Sequence, residues 1–196
     1  MINIQNILTT ILLCLAASMP TAAQTITQDG ITYELFDGEN RATMTGLASD
    51  NNLKGIVVIP EQIQYKSKNY VIDAIGLGDL SVENSKDIIE LSLPGTIHQI
   101  SWKAFSNCSK LQKLRLNEGI ESVVGFNGCT SLYEIEFPQS LRTIGVEAFS
   151  DCTSLRHITL PNNLQWISEE AFSGCTSLSE LTLPDSLHYI GSHVFN

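Results

Sequence analysis

Four cysteines have a regular spacing that could support chemistry. Successive members are 21, 23 and 23 residues apart, and they are Cys108, Cys129, Cys152 and Cys175. In an exported protein, four cysteines could form a disulfide framework. Zinc binding is disfavoured because the chain has neither a C-x-x-C nor an H-x-x-x-H pattern. A Cys152 nucleophile beside Asp151 would need solvent exposure and a base within reach.

The sequence around each cysteine suggests a structural role. The segments AFSNCSKLQKLRL, GFNGCTSLYEIEFP, AFSDCTSLRHITLP and AFSGCTSLSELTLP begin at residues 104, 125, 148 and 171. Repeats in the twenties are typical of solenoids, in which each repeat forms one coil and buries its apolar face against its neighbours. The cysteines then stack about 4.8 Å apart with parallel side chains, a poor geometry for a disulfide. We therefore predict buried, free thiols at all four positions and no metal.

Each coil contains two extended segments. In the last copy, Leu178, Leu181 and Leu183 should face the core, while the residues between them alternate outward. Pro184 ends the first strand, and Leu187 and Ile190 should turn inward on the second. The equivalent positions predict a repeat core of Leu91, Leu114, Ile135, Ile158, Leu181, Phe105, Phe149 and Phe172.

Composition and charge predict three regions. Residues 1–23 carry no charged side chain, contain an apolar run of 11 residues and end in small residues, as expected for a signal peptide; a buried N-terminal helix is the alternative. That run is too short to span a bilayer, so no transmembrane segment is expected after signal removal. Residues 24–87 should form a β-rich cap and a degenerate first coil. Residues 88–196 should form about five solenoid coils, ending mid-coil.

The outward columns are the predicted binding surfaces. A net charge of −10 without a basic cluster argues against nucleic acid as a partner. One column on the first strand alternates in charge and should pair laterally; its members are Glu90, Lys113, Glu134, His157 and Glu180. On the second segment, Trp166 and Tyr189 should lie side by side, near Gln165 and His188. These four are the ligand-binding candidates, for a sugar ring or an apolar anchor. Alternatively, the aromatic side chains cover the core edge or pack against a further coil.

The repeat pattern resembles a known family. Leu-x-x-Leu/Ile-x-Leu/Phe-Pro, followed by Leu/Ile-x-x-Ile-Gly and by Ala-Phe-Ser-x-Cys, is similar to the BspA-type leucine-rich repeat family of bacterial surface proteins. The resemblance implies a β-rich leucine-rich repeat solenoid with short parallel strands, a 23-residue period and little helix. It also implies a secreted, periplasmic or cell-surface binding scaffold, in some family members an adhesin, that recognises a protein or glycan without a cofactor. A structural spacer or a fragment of a larger surface protein is the alternative, and an enzyme is the least expected.

Overall fold

The protein is a β-solenoid with a β-rich N-terminal part. The computed structural model describes residues 24–47, 55–76 and 85–196, so the predicted signal peptide lies outside the described residues. The described part has one 3-10 turn, Ser85–Asp87. Its strands are β1 Gln24–Gln28, β2 Ile31–Phe36, β3 Arg41–Leu47, β4 Gly55–Val58, β5 Gln62–Tyr65, β6 Lys68–Ile75, β7 Ile88–Leu93, β8 Gln99–Ile100, β9 Lys113–Leu116, β10 Ser122–Val123, β11 Glu134–Glu136, β12 Thr143–Ile144, β13 Trp166–Ile167 and β14 Tyr189–Ile190.

The N-terminal strands form one mixed sheet in the order β1-β2-β3-β6-β5. Its first hairpin turns through Asp29 and Gly30, whose φ angles of 50° and 76° suit a two-residue turn. In β2, Ile31, Tyr33 and Leu35 are buried and alternate with half-buried residues, so one face of the strand packs on the core.

This N-terminal sheet is continuous with the solenoid. Strand β6 pairs in parallel with β3 on one side and with β8 on the other, so that Ile75 lies opposite Ile100. Strand β4 pairs in parallel with β7, and Val57 lies opposite Leu91. The backbone hydrogen bonds therefore extend from the N-terminal part into the first coils, where the two share one hydrophobic core.

Two all-parallel sheets run along the solenoid. We call β4-β7-β9-β11 the long sheet and β10-β12-β13-β14 the short sheet. Their registers join equivalent residues of successive coils; for example, Leu91 pairs with Leu114, and Leu114 with Ile135. The predicted β-rich leucine-rich repeat solenoid of short parallel strands is confirmed.

The long sheet differs from the prediction at one coil boundary. The column through Glu134 was expected to continue to His157, but β11 pairs only with β9, and His157 instead forms an isolated parallel bridge with Glu180. The interruption coincides with Phe137, which replaces the leucine found at this position in the other coils. Its ring packs edge-on against Phe149, with 5.8 Å between centroids.

A row of stacked phenylalanine rings runs through the core. Successive centroids lie 5.2, 5.8, 5.6 and 6.0 Å apart, and the ring planes differ by 5° to 14°. The row comprises Phe105, Phe126, Phe149, Phe172 and Phe195, of which the first four are almost fully buried. Each buried ring contributes about 1.5–3 kcal/mol relative to exposure, and stacking adds about 0.5–1.5 kcal/mol per pair.

The four cysteines form a second row beside the phenylalanines. They are free and buried in this structure. The thiols of Cys129, Cys152 and Cys175 each donate a hydrogen bond to the phenylalanine carbonyl of the preceding coil, at 3.4, 3.4 and 3.1 Å. The thiol of Cys108 donates to Ser85 Oγ at 3.2 Å. A cysteine in this slot therefore fills a small apolar space and also offers a donor to the neighbouring coil.

The residue before each cysteine has a left-handed backbone. The φ angles are 60° at Asn107, 73° at Gly128, 57° at Asp151 and 72° at Gly174, a region that favours glycine and, next, asparagine and aspartate. The alternation has a steric reason. A Cβ at Gly128 would lie 2.4 Å from Asn107 Oδ1, and one at Gly174 would lie 2.3 Å from Asp151 Oδ1. A coil with a side chain here therefore favours glycine in the next, because a Cβ there would have to displace that side chain.

The last coil is less buried than predicted. Leu183 and Ile190, expected to face inward, are 42% and 43% exposed, and Leu181 is only partly buried. Leu178 and Leu187 are also only partly buried, whereas the core positions predicted for the earlier coils are buried. The reason is positional, since only one side of this coil is covered by a neighbouring coil in the structure. An apolar side chain in a solenoid needs a coil on both sides to be fully buried.

The glycine alternation can be tested by substitution. Gly174→Ala should destabilise the chain by about 1–2 kcal/mol or more, because it combines a left-handed backbone with a contact to Asp151. Asp151→Gly in the same chain should recover part of that loss by removing the contact. The free energies of unfolding of the single and double variants, obtained from urea titration, measure the loss and its recovery. Equal stabilities for the single and double variants would contradict the steric explanation.

The thiols offer a second test. The native chain should react slowly with iodoacetamide because burial raises the pKa of the Cys152 thiol above its usual range and that of Cys175 to about 11. After denaturation without reductant, mass spectrometry should find Cys108, Cys129, Cys152 and Cys175 all alkylated. Protection of two or four of them until a reductant is added would reveal disulfides between coils.

Candidate functional site

The candidate ligand-binding residues lie on the last two coils of the short sheet. Trp166 on β13 and Tyr189 on β14 are register partners, with 43% and 45% of their surfaces exposed. The strand alternation explains the direction of Trp166, because the next residue, Ile167, is fully buried. The structure therefore brings the two aromatic side chains to neighbouring positions on an outward face.

His188 and Gln165 contribute differently to this surface. The His188 imidazole stacks on the Trp166 indole, with 6.0 Å between centroids and 22° between planes. Gln165 is half-buried, and its carbonyl accepts hydrogen bonds from the backbone N–H groups of His188 at 2.8 Å and Tyr189 at 3.2 Å. Gln165 therefore holds the two coils in register, and the aromatic surface consists of Trp166, His188 and Tyr189.

Glu169 borders this surface and was not predicted from the sequence. Tyr189 Oη donates a hydrogen bond to Glu169 Oε1 at 2.8 Å. Hydrogen bonds from its own backbone and from Tyr189 hold the pKa of the Glu169 carboxyl below its ordinary value. The same bond raises the pKa of the Tyr189 phenol. The repeat pattern contains no signal for this contact, because it joins the turn of one coil to the strand of the next.

The long sheet presents a charged surface that pairs with itself. Lys113 Nζ lies 3.1 Å from Glu134 Oε2, and Arg115 donates two hydrogen bonds to Glu136 at 2.6 and 2.8 Å. The bond from Arg115 holds the pKa of the Glu136 carboxyl below its ordinary value. At the opposite edge of the long sheet, on β4, the apolar side chain of Ile56 is 65% exposed. The predicted lateral pairing is thus present between β9 and β11, which leaves those charges committed to one another.

The remaining chemical possibilities find little support in the described residues. Cys152 is fully buried and donates to the Phe126 carbonyl, so it lacks the exposure that a nucleophile needs. Residues 24–47, 55–76 and 85–196 contain no group of three or more His, Cys, Asp or Glu side chains that could hold a metal ion. In the same ranges, no helix is long and apolar enough to cross a membrane.

The Tyr189–Glu169 bond should be visible in a pH titration. Because the folded pKa of Glu169 is depressed, its contribution to stability is present above the unfolded pKa of about 4.3 and is lost as pH falls through the folded pKa. Tyr189→Phe should raise the Glu169 pKa, measured by carboxyl NMR, but not abolish the shift, since the backbone bond remains. Glu169→Gln should in turn lower the Tyr189 pKa. If Tyr189→Phe leaves the carboxyl titration unchanged, the bond is absent in solution.

Comparisons with known proteins agree with this repeat architecture. The profile of the BspA type leucine rich repeat region matches residues 76–196 in six copies, starting upstream of the predicted boundary at residue 88. Among curated proteins, no sequence matches this chain significantly.

Solved structures of bacterial leucine-rich repeat proteins are also similar. A protein from Bacteroides ovatus is 30% identical with a TM-score of 0.73, over 87% of this chain and 44% of that one. The T. pallidum leucine-rich repeat protein is 28% identical with a TM-score of 0.54, over 87% and 66%. The pneumococcal vaccine antigen PcpA is 26% identical with a TM-score of 0.58, over 89% and 47%. The chain thus spans less than two thirds of each relative.

The profile match covers more than half of the residues, and the matched region includes the stacked parallel strands of the solenoid. The chain belongs to the BspA-type leucine-rich repeat family.

Proposed function

We propose that the chain is an exported, non-catalytic binding scaffold that recognises a protein or a glycan through the aromatic surface of the short sheet. The observation that carries this proposal is the pair of exposed aromatic side chains, Trp166 and Tyr189, on adjacent coils. A solenoid needs its inward positions for stability, so large aromatic groups facing outward are free to serve binding.

The chemistry of the surface suits both ligand classes. Aromatic faces stack on the apolar face of a sugar ring or receive an apolar anchor of a partner protein. The polar groups beside them, the His188 ring and the Glu169 carboxylate, are hydrogen-bonding partners for hydroxyl or amide groups. Because Tyr189 is held by Glu169 and Trp166 is packed against His188, little side-chain entropy is lost on binding.

Two features support a location outside the cytoplasm. The uncharged, apolar segment at residues 1–23 has the pattern of a signal peptide. Membership of a family of bacterial surface proteins favours a secreted, periplasmic or cell-surface position, with an adhesin as the finer hypothesis. The burial of the four cysteines and the lack of a metal-holding cluster among the described residues favour binding over catalysis.

An array of glycans and matrix proteins tests the proposal. The purified chain should bind at least one array component, and Trp166→Ala should weaken that binding by about tenfold or more, the usual cost of losing an interface anchor. Trp102→Ala is the matched control, because Trp102 is equally exposed, at 46%, but lies in a different column. Equal losses for the two variants, or no binding at all, would favour a structural spacer.

A further inference from the structure

A groove opens on the flank of the long sheet, away from the aromatic surface of the short sheet. It is shallow and open, with a volume of about 530 Å³, and it extends over the coils of β9 and β11 and the coil that follows them. It is lined by Gln112, Ser131, Tyr133, Ser154, Arg156 and His157. We call it the flank groove.

The groove lies where the backbone ladder is broken. At the other coil boundaries, the backbone N–H just before the long-sheet position donates a hydrogen bond to the carbonyl of the equivalent residue in the preceding coil. These bonds run from Gln112 to Ile89 at 2.7 Å, from Tyr133 to Gln112 at 3.0 Å and from Ser179 to Arg156 at 3.3 Å. The corresponding bond from Arg156 to Tyr133 is missing in the described chain. The repeat therefore departs from its own geometry at this boundary.

Arg156 is the unusual cation of this surface. Its side chain is exposed, and it makes no ion pair or hydrogen bond with any residue that the structure describes. The other repeat arginines are engaged: Arg115 binds Glu136 through two bonds, and Arg142 donates to the Asn163 carbonyl at 3.5 Å. A guanidinium with five unused donors beside a groove is suited to hold a carboxylate through two parallel hydrogen bonds.

The surrounding charges favour an anion here although the chain carries a net charge of −10. No Asp or Glu lines the flank groove. Two carboxylates lie in the neighbouring column: Glu134 is paired with Lys113 at 3.1 Å, and Glu180 lies opposite His157 on the far side. An anionic group in the groove would therefore meet Arg156 with little opposing charge from the lining.

The rest of the lining indicates what kind of anion fits. Tyr133 is 43% exposed and offers an aromatic face, with Lys113 Nζ 6.0 Å from its ring centroid. Gln112, Ser131 and Ser154 add amide and hydroxyl groups, and no aliphatic side chain lines the groove. A peptide partner would need an apolar pocket for its anchor residue, whereas a pyranose ring needs an aromatic face and polar partners for its hydroxyls.

We propose that the flank groove binds an acidic sugar residue of a glycan. The carboxylate pairs with the Arg156 guanidinium, the sugar ring packs against Tyr133, and the hydroxyls reach the amide and hydroxyl groups of the lining. This site goes beyond the proposed aromatic surface, because it lies beside the long sheet and shares no residue with that surface.

Isothermal titration with trigalacturonate tests the proposal. The purified chain should bind trigalacturonate and should not bind its fully methyl-esterified form, which keeps the rings but lacks the charges. Arg156→Gln should weaken binding by about tenfold or more, the expected effect of losing a charge-assisted bidentate pair. Tyr133→Ala should weaken it by about threefold or more through loss of the stacking face.

Arg142→Gln is the matched control, since it removes the same charge from a residue outside the groove. The affinity of this variant for trigalacturonate should stay within about twofold of that of the parent chain, because the field of a distant exposed charge is screened by salt. Comparable losses for Arg142→Gln and Arg156→Gln, tight binding of the ester, or no binding of trigalacturonate would each overturn the proposal. Binding of hexaglutamate at least as tight as that of trigalacturonate, and dependent on Arg156, would make the groove a site for acidic peptides instead.

Discussion

The stacking of one coil on the next, at the fixed spacing of parallel strands, is the constraint on which the rest of this structure depends. The phenylalanine row satisfies it with centroids 5.2 to 6.0 Å apart, and the thiols beside it donate to the carbonyls of the preceding coil. Each buried ring is worth about 1.5–3 kcal/mol, against about 0–1 kcal/mol for an exposed ion pair such as Lys113–Glu134. Core stacking, and not surface charge, therefore holds the coils together.

The same constraint organises the surface. Because equivalent residues of successive coils are register partners, any outward residue has the equivalent residues of adjacent coils as its lateral neighbours. Opposite charges in one column then pair with each other, as Arg115 and Glu136 do. Such a column has few groups left for a ligand. Binding capacity is expected where the repeat introduces an unpaired or unusually large side chain.

Both proposed sites lie at such departures. On the short sheet, the column of Ser122 and Thr143 changes to Trp166 and Tyr189 in the last two coils. On the long sheet, the ladder stops after β11, and Arg156 lies beside the resulting groove without an acidic partner among the described residues. The first site offers aromatic faces, and the second combines a cation with one ring and several hydroxyl groups. The two surfaces thus differ in the chemistry of the ligand that they favour.

The sequence by itself determined the solenoid, the slot of each cysteine and the adjacency of Trp166 and Tyr189. Those features depend on periodicity, which transmits a position from coil to coil. Only the tertiary structure decided the Tyr189–Glu169 bond, the broken ladder at Arg156 and the exposure of Leu183 and Ile190. These depend on contacts between non-equivalent positions, or on how many neighbours a coil has. A repeat pattern specifies which residues are equivalent, but it does not specify how far two particular coils approach each other.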